Sequence, residues 1–217
     1  MMMMKKIALI LAGASLGTAT VVAEQPRVHI RTISVSAKPI VDRLLPDDEV
    51  VLIKYEWDVV VTAAGAASAQ QTIDDATSQA DAVAIVGVTD VSGFLAYDDV
   101  WINTRVIGTV REVVRSSQRA DLRPGQTIEV EHPDGQLNIG KVFVMVNEGS
   151  PIRPHRSYLM FLTAGDPPST VLTPVLTPLA IEHGELRNPL KADGVVVSDP
   201  LDGWSLKKAI EQIKHAE

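Results

Sequence analysis

The sequence predicts an all-β fold, a barrel or a sandwich, with two helices at its periphery. Three observations lead to this class. The β-branched residues Val, Ile and Thr, which favour strands, recur along the chain. About six short segments with strand-like patterns follow one another, and turn signals separate them. No long alternation of strands with helices occurs, so we do not expect a doubly wound parallel sheet.

Composition and charge narrow the class of protein further. Hydrophobic residues make up 46% of the 217 residues and charged residues 22%, which provides enough apolar material for a sizeable core. The net charge of −7 repels nucleic acid and anionic membrane surfaces, so we expect neither as a partner. The chain has no cysteine, which excludes disulfides, thiol catalysis and zinc sites with sulfur ligands.

Residues 1–23 have the pattern of a secretory signal peptide. A positive start at Lys5 and Lys6 precedes an apolar stretch, and small residues at Val21 and Ala23 lie where a signal peptidase cleaves. A membrane anchor is the competing interpretation, but the stretch is short for a span and contains glycines. We therefore expect an exported protein, periplasmic or secreted, with no stable membrane span after cleavage.

Residues 24–69 are predicted to form an N-terminal extension with one strand and a linker. In EVVLIKYEWDVVVT, apolar and aromatic residues alternate with charged ones, which indicates a strand buried on one side. Its buried face would contain Ile53, Tyr55, Trp57, Val59 and Val61. The small residues of AAGAASAQQ then indicate a flexible linker. The rest of the chain, 70–217, is predicted to form the β-barrel domain.

Two helices are predicted, one near each end of this domain. TIDDATSQA indicates a short N-terminal helix with Thr72 as its N-cap. SLKKAIEQIKHAE indicates a C-terminal capping helix that begins after Ser205. Its apolar stripe consists of Leu206, Ile210 and Ile213.

Between these helices the sequence predicts a series of strands. DAVAIVGVTDVSGF and WINTRVIGTVREVV are the two long strands, and the second has a bulge near Glu112. Proline interrupts the short strand-like pieces of TVLTPVLTPLAIEHGELRNPL, which favours an edge or an extended cover. Three shorter strands lie in QTIEVE, KVFVMV and SYLMFL.

The strand segments also carry a resemblance to a known family. The chain from about Asp81 to Leu190 resembles exported bacterial β-barrel domains of unknown function, and it is similar to the OB-like barrel of netrin-type and metalloproteinase-inhibitor domains. The motifs are SQADAVAIVGVTDV, NTRVIGTVREVVRS, GQTIEVEHPDG and RSYLMFLTAG. The resemblance implies an OB-like Greek-key barrel closed by the C-terminal helix. It does not imply inhibitor activity, because the cysteines of those domains are missing and RPHRSY replaces the usual Pro-Gly turn.

The segment IRPHRSY is the first candidate ligand-binding site. Arg153 and Arg156 offer guanidinium groups to an anion, and His155 adds a side chain of the type that can act as a pH switch. A nucleophilic Ser157 would need a base that the sequence does not identify. The alternative is a proline-stiffened loop that stays in water before the buried strand SYLMFL begins.

The segment YDDVW is the second candidate. Asp98 and Asp99 lie between Tyr97 and Trp101, and an aromatic and acidic cluster of this kind could hold a sugar or a cation. Solvated loop residues are the alternative interpretation, because the acids do not have the regular spacing of a calcium loop.

The histidines give no metal prediction. The five histidines lack the short spacings of zinc helices and fingers, so we expect no metal and no cofactor. His132 and Asp134 in EHPDG could form a catalytic pair, but Pro133-Asp134-Gly135 between two strands favours a turn, with Gly135 at positive φ.

The sequence therefore predicts an exported, non-enzymatic domain that binds an unknown protein or small ligand in the cell envelope or outside it. The alternative is an exported hydrolase whose site combines His132 or His155 with Asp98 or Asp99. Catalysis is not expected from any single motif of the chain.

Overall fold

The structure, a computed structural model, describes residues 28–54, 68–97, 99–146, 152–165, 171–188 and 200–216. Strands account for 50% of these residues and helices for 16%, so the prediction of a mostly β protein with two helices is confirmed. The predicted signal peptide, the second half of the predicted extension strand and Asp98 lie outside the described residues.

Eleven strands and two α-helices make up the described part of the chain. The elements are β1 (Ile30–Ser34), β2 (Val50–Lys54), α1 (Ala69–Gln79), β3 (Ala82–Ala96), β4 (Trp101–Ser116), β5 (Thr127–Pro133), β6 (Gln136–Ile139), β7 (Val142–Val146), β8 (Ser157–Ala164), β9 (Val171–Pro174), β10 (Leu179–Glu182), β11 (Glu185–Arg187) and α2 (Leu206–His215). A short 3-10 helix, Val41–Arg43, precedes β2.

The strands form a small sheet and a large one. The small sheet has four strands in the order β1-β2-β7-β6, in which β2 lies parallel to both β1 and β7. The large sheet has seven strands in the order β11-β10-β8-β3-β4-β5-β9. The small sheet joins the predicted extension to the predicted barrel domain, because β1 and β2 come from the former and β6 and β7 from the latter.

The large sheet curves back on itself without closing into a clear barrel. Its last strand, β9, pairs in parallel with β5 and antiparallel with β8. This link is short, with two residue pairs to β5 and three to β8. On the other side of β8, β10 and β11 extend the sheet beyond the curved part.

The two faces of the large sheet are buried in two separate apolar clusters. The inner cluster lies on the concave face and includes Val86, Val106, Val130 and Met160. The opposite face of β3 and β8 packs against both helices, and this helix cluster includes Ile73, Val83, Phe161, Ala209 and Ile213. The strand SYLMFL is therefore apolar on both faces because each face is buried against a different layer.

A third cluster holds the small sheet against the far end of the β3–β4 hairpin. Trp101 and Ile102 at the start of β4 pack there with Val51, Val144 and Val146 of the small sheet. Two close approaches fix the contact. A Cβ atom on Gly93 would lie 2.0 Å from the Gln136 carbonyl oxygen, and one on Gly135 would lie 2.8 Å from the Asn103 carbonyl oxygen. Only glycine fits at either position.

The first helix begins earlier than the sequence predicts. Ser68 is its N-cap, and the Ser68 hydroxyl accepts a hydrogen bond of 3.1 Å from the Gln71 amide. The last residues of the predicted linker therefore belong to α1, and the assignment of Thr72 as N-cap is wrong. Thr72 lies inside the helix, where its hydroxyl donates to the Ser68 carbonyl. Ser68, four residues before Thr72, is also a residue type that is favoured at the N-cap.

The bulge predicted near Glu112 is confirmed. The pairing of β3 with β4 shifts between Ile85 and Val86, where Ile85 pairs with Glu112 and Val86 with Val110. Further shifts lie between Val83 and Ala84 and between Val88 and Asp90. Bulges of this kind increase the bend and twist of the long hairpin, which lets the large sheet curve.

Candidate functional site

The loop before β8 is held to β3 by its backbone. The His155 amide donates a hydrogen bond of 2.9 Å to the Val88 carbonyl, and the Val88 amide donates one of 2.9 Å to the Arg156 carbonyl. His155 adopts a left-handed conformation with φ of 62°, and its side chain is exposed. The loop is therefore a fixed turn at the entry to the core strand.

Internal partners occupy the polar groups of this turn. The Arg156 guanidinium forms an ion pair of 2.9 Å with the Glu182 carboxylate, and the Arg153 amide donates a 2.8 Å hydrogen bond to the Tyr158 hydroxyl. Burial raises the pKa of Tyr158, although the Arg153 amide and the nearby guanidinium charges oppose this. An anion at this turn would compete with Glu182 for Arg156.

The turn between β3 and β4 separates the members of the second candidate. Asp99 is exposed, with φ of 63°, and its carbonyl accepts a 2.8 Å hydrogen bond from the Ile40 amide. Tyr97 is 70% exposed, whereas Trp101 is only 6% exposed because it packs in the third cluster. Trp101 therefore supports the contact between the sheets and does not offer its ring to a ligand.

The two sequence candidates lie at different positions along β3. His155 is hydrogen-bonded beside Val88, near the middle of the strand, and Asp99 follows the end of the same strand at Ala96. The strand length between Val88 and Ala96 is about 26 Å at about 3.3 Å per residue. The structure does not bring His155 and Asp99 together as a catalytic pair.

His132 lies in a third place. It is buried on β5 directly opposite Thr104, and its Nδ1 atom has no hydrogen-bond partner among the described residues. Burial lowers the pKa of His132, and the charge of Asp134 and nearby backbone groups oppose this shift only in part. The segment predicted as a turn connects β5 to β6, which belong to different sheets. The prediction of a positive φ at Gly135 is wrong, because Asp134 has the positive φ, at 74°, and Gly135 instead allows close packing.

A surface that the sequence candidates missed lies on the outer face of β3, β4 and β5. We call it the β3–β5 outer face, and it consists of Phe94, Arg105, Glu129 and Glu131 together with Asn103, which is buried. Cross-strand pairing places these side chains on the face opposite Val106 and Val130, which point into the inner cluster.

Arg105 is the centre of the β3–β5 outer face. Its guanidinium lies over the Phe94 ring, 5.2 Å from the centroid, and its Nε atom is 2.7 Å from Glu129 Oε1. The Asn103 amide donates a 2.5 Å hydrogen bond to Glu131 Oε1. The side chains of Arg105 and Glu129 remain 51% and 34% exposed. The outward alternation of Asn103 and Arg105 on β4 was visible in the sequence, but their pairing with the acids of β5 depends on strand register.

Neither a metal-binding cluster nor a membrane-spanning helix occurs in the part of the chain that the structure describes. That part contains no group of three or more His, Asp or Glu side chains that could hold a metal ion. None of its helices is long and apolar enough to cross a membrane.

The comparisons with known proteins give no assignment. No protein-family model matches the chain, and no curated protein matches its sequence.

Proposed function

We propose that this protein is an exported, non-enzymatic binding domain built on an OB-like Greek-key barrel. It binds a protein or a small ligand in the cell envelope or the extracellular space, through the β3–β5 outer face. The observation that carries this proposal is the fixed and still exposed guanidinium of Arg105, between the Phe94 ring and the Glu129 carboxylate.

The order and direction of strand pairing support the OB-like assignment. β3, β4 and β5 form an antiparallel meander, β9 lies parallel to β5, and β8 returns antiparallel to both β9 and β3. A partly open five-stranded Greek-key barrel has this character. In this interpretation the small sheet, β10, β11 and the helices are additions to the barrel, and the resemblance to exported barrel domains belongs to the same proposal.

The N-terminal sequence supports export. Its two lysines, apolar stretch and small residues before Glu24 are typical of a cleaved signal peptide. A mature chain without cysteine depends on its apolar core for stability, and the three clusters supply such a core.

The chemistry of the β3–β5 outer face supports binding. OB-like barrels commonly bind ligands on the face of their second and third strands, which here are β4 and β5. This correspondence is an analogy of fold, and the chemistry of a binding site depends on its side chains. Phe94 offers an apolar ring, Arg105 a cation, and Glu129 and Glu131 carboxylates within one sheet face. Because these groups are already oriented by each other, a ligand would lose little side-chain entropy in using them.

The test is a quantitative pull-down from envelope extract with the mature protein immobilised. We expect a specific partner whose recovery falls at least about tenfold with Arg105→Ala, since a fixed guanidinium at an interface is a typical hot spot. Arg123→Ala is the matched control, because Arg123 is an exposed arginine paired with an exposed carboxylate in a turn. Equal recovery with Arg105→Ala and the control would overturn the assignment of the surface.

The turn before β8 is compared in the same experiment. Arg153→Ala and Arg156→Ala remove the two arginines of the first sequence candidate. We expect the partner to be recovered with both variants, because neither arginine belongs to the β3–β5 outer face. Loss of the partner with these variants and not with Arg105→Ala would move the binding site to the turn.

A further inference from the structure

His132 lies in a row of residues that crosses three strands of the large sheet. His132 pairs with Thr104, and Thr104 pairs with Gly93 on its other side. Residues that face each other across an antiparallel ladder share a face of the sheet. The imidazole therefore lies on the same face of the sheet as the Thr104 side chain and as the position where a side chain on residue 93 would be.

The turn that follows His132 folds back over this row. The Thr104 hydroxyl donates a 2.9 Å hydrogen bond to the Asp134 carbonyl. The Gln136 carbonyl lies where a Gly93 side chain would be. The Val146 amide of β7 donates a 2.9 Å hydrogen bond to the Gly135 carbonyl, which ties the turn to the small sheet. Residues 134–136 thus cover His132 and connect the two sheets.

The buried imidazole has a polar atom that is not satisfied. His132 is 7% exposed, and Nδ1 has no partner among the described residues. A buried imidazolium would need to keep two N–H groups hydrogen-bonded and would carry a charge into an apolar environment. The charged group whose field acts on His132 is Asp134, which lies on the turn itself. The neighbours on the adjacent strands are uncharged: Thr104 on β4 and Gly93 on β3. After the turn the chain continues to Gln136 on β6.

We propose that His132 is a pH-sensitive latch between the two sheets. When its imidazole is neutral, the turn 134–136 stays closed over it. When the imidazole takes up a proton, hydration of the cation requires the turn to lift, and the edge strand β6 loosens from the β3–β4 hairpin. β6 is suited to this movement because it is a four-residue edge strand that pairs only with β7 among the described strands.

The direction of the pH dependence follows from burial. Burial lowers the pKa of His132 in the closed form, whereas an open and hydrated His132 has an ordinary pKa near 6.5. Protons therefore bind the open form more strongly, and acid favours opening. With an open-form pKa near 6.5 and a lower pKa in the closed form, the opening equilibrium rises between pH 7.5 and pH 5.5, by about tenfold at most.

Amide hydrogen exchange on the full-length protein tests the latch. After correction for the intrinsic pH dependence, we expect protection of the β6 amides and of the Val146 amide to fall by more than about twofold, and by up to about tenfold, between pH 7.5 and pH 5.5. Protection in the β3–β8 ladder should change by less than about twofold, since that pairing does not involve the turn. Unchanged protection in β6 at pH 5.5 would overturn the proposal.

Two variants make the test specific. His132→Asn keeps a neutral polar side chain at the position and should abolish the pH dependence of β6 protection. His155→Asn is the matched control, because His155 is exposed and asparagine tolerates its left-handed conformation, and it should retain the wild-type dependence. If the His132→Asn protein lost β6 protection between pH 7.5 and pH 5.5 as the wild type does, the latch would be contradicted.

A measurement on the wild type covers the case in which His132→Asn does not fold. The imidazole resonances of His132 are followed by NMR between pH 8 and pH 5. We expect the pKa of His132 to lie below the ordinary imidazole value of about 6.5, together with changes in the β6 amide resonances. A His132 pKa at or above that value, with no change in β6, would refute the proposal.

Discussion

At the scale of single residues, Asp48 is a buried charge that is held by several hydrogen bonds. Its side chain is 1% exposed and accepts hydrogen bonds from Arg31 Nε at 2.7 Å, Arg31 Nη2 at 2.5 Å and the Leu45 amide at 2.7 Å. Arg31 also donates to the Arg43 carbonyl, and the Arg43 guanidinium donates to the Ser34 carbonyl at the end of β1. These contacts fasten the loop between β1 and β2 to the edge of the small sheet.

We predict that Asp48→Asn destabilises the protein by about 3 kcal/mol, because it leaves the Arg31 guanidinium without its counter-charge in a partly buried site. Urea unfolding at pH 7 measures the change. Asp121→Asn is the matched control, since Asp121 and Arg123 form an ion pair with side chains 70% and 75% exposed, and its cost should stay below about 1 kcal/mol. Equal costs for the two variants would contradict this account of Asp48.

The same pair predicts an acid dependence of stability. The hydrogen bonds from Arg31, the largest cause, lower the pKa of Asp48 from 3.8 to about 2. The folded state therefore holds the Asp48 proton less tightly than the unfolded state does, so this contribution is present above pH 4 and is lost as the pH falls toward 2. The difference in unfolding free energy between wild type and Asp48→Asn should shrink between pH 5 and pH 2. A constant difference over that range would show that the Arg31–Asp48 pair is not the source of the acid dependence.

At the scale of elements, the two helices begin with the same residue type and differ in how it is used. Ser68 and Ser205 are both N-caps with extended backbones, but only the Ser68 side chain makes a capping hydrogen bond. The Ser205 backbone instead forms an isolated bridge with Glu185, which places the start of α2 next to β11. The tertiary contact of α2 replaces the local cap of α1.

We predict that Ser68→Ala costs about 1 kcal/mol of unfolding free energy, because the Gln71 amide loses its acceptor at the helix N-terminus. Ser205→Ala is the matched variant at the other helix, and its cost should be about zero, since no side-chain bond is lost. Thermal or urea unfolding of the two variants in parallel provides the comparison. A larger cost for Ser205→Ala than for Ser68→Ala would show that the side chain of Ser205, and not that of Ser68, stabilises its helix N-terminus.

The elements also show what sequence pattern can and cannot predict here. The β3–β4 hairpin, its bulge near Glu112, the buried strand β8 and helix α2 follow from periodicity and turn chemistry, and all are present. The burial of Trp101 could not be predicted from YDDVW, because it depends on packing against the distant strands β2 and β7. The β3–β5 outer face was hidden for a related reason, since Arg105 meets Glu129 only through the register of β4 with β5.

At the scale of the whole molecule, the small sheet crosses the boundary that the sequence suggested between residues 69 and 70. β2 has β7 as its parallel neighbour along four residue pairs, and Val51 and Ile53 of β2 are fully buried with Val144 and Val146. Local patterning marked β2 as a strand of an extension, but parallel pairing joins segments that are far apart in the chain and leaves no local signal. The described strands before residue 55 are therefore structural partners of β7 and of the β3–β4 hairpin.

This arrangement predicts that a chain beginning at Ser68 does not fold cooperatively. Loss of β1 and β2 would expose the edge of β7 and the buried side chains of Trp101, Val144 and Val146, which is a typical aggregation surface. A chain beginning at Glu24 is the control and should remain monomeric, with a single thermal transition. Size-exclusion chromatography and thermal unfolding by circular dichroism distinguish the two. A monomeric Ser68 chain with a cooperative transition would show instead that the large sheet and its helices are an independent folding unit, with the small sheet a dispensable cover.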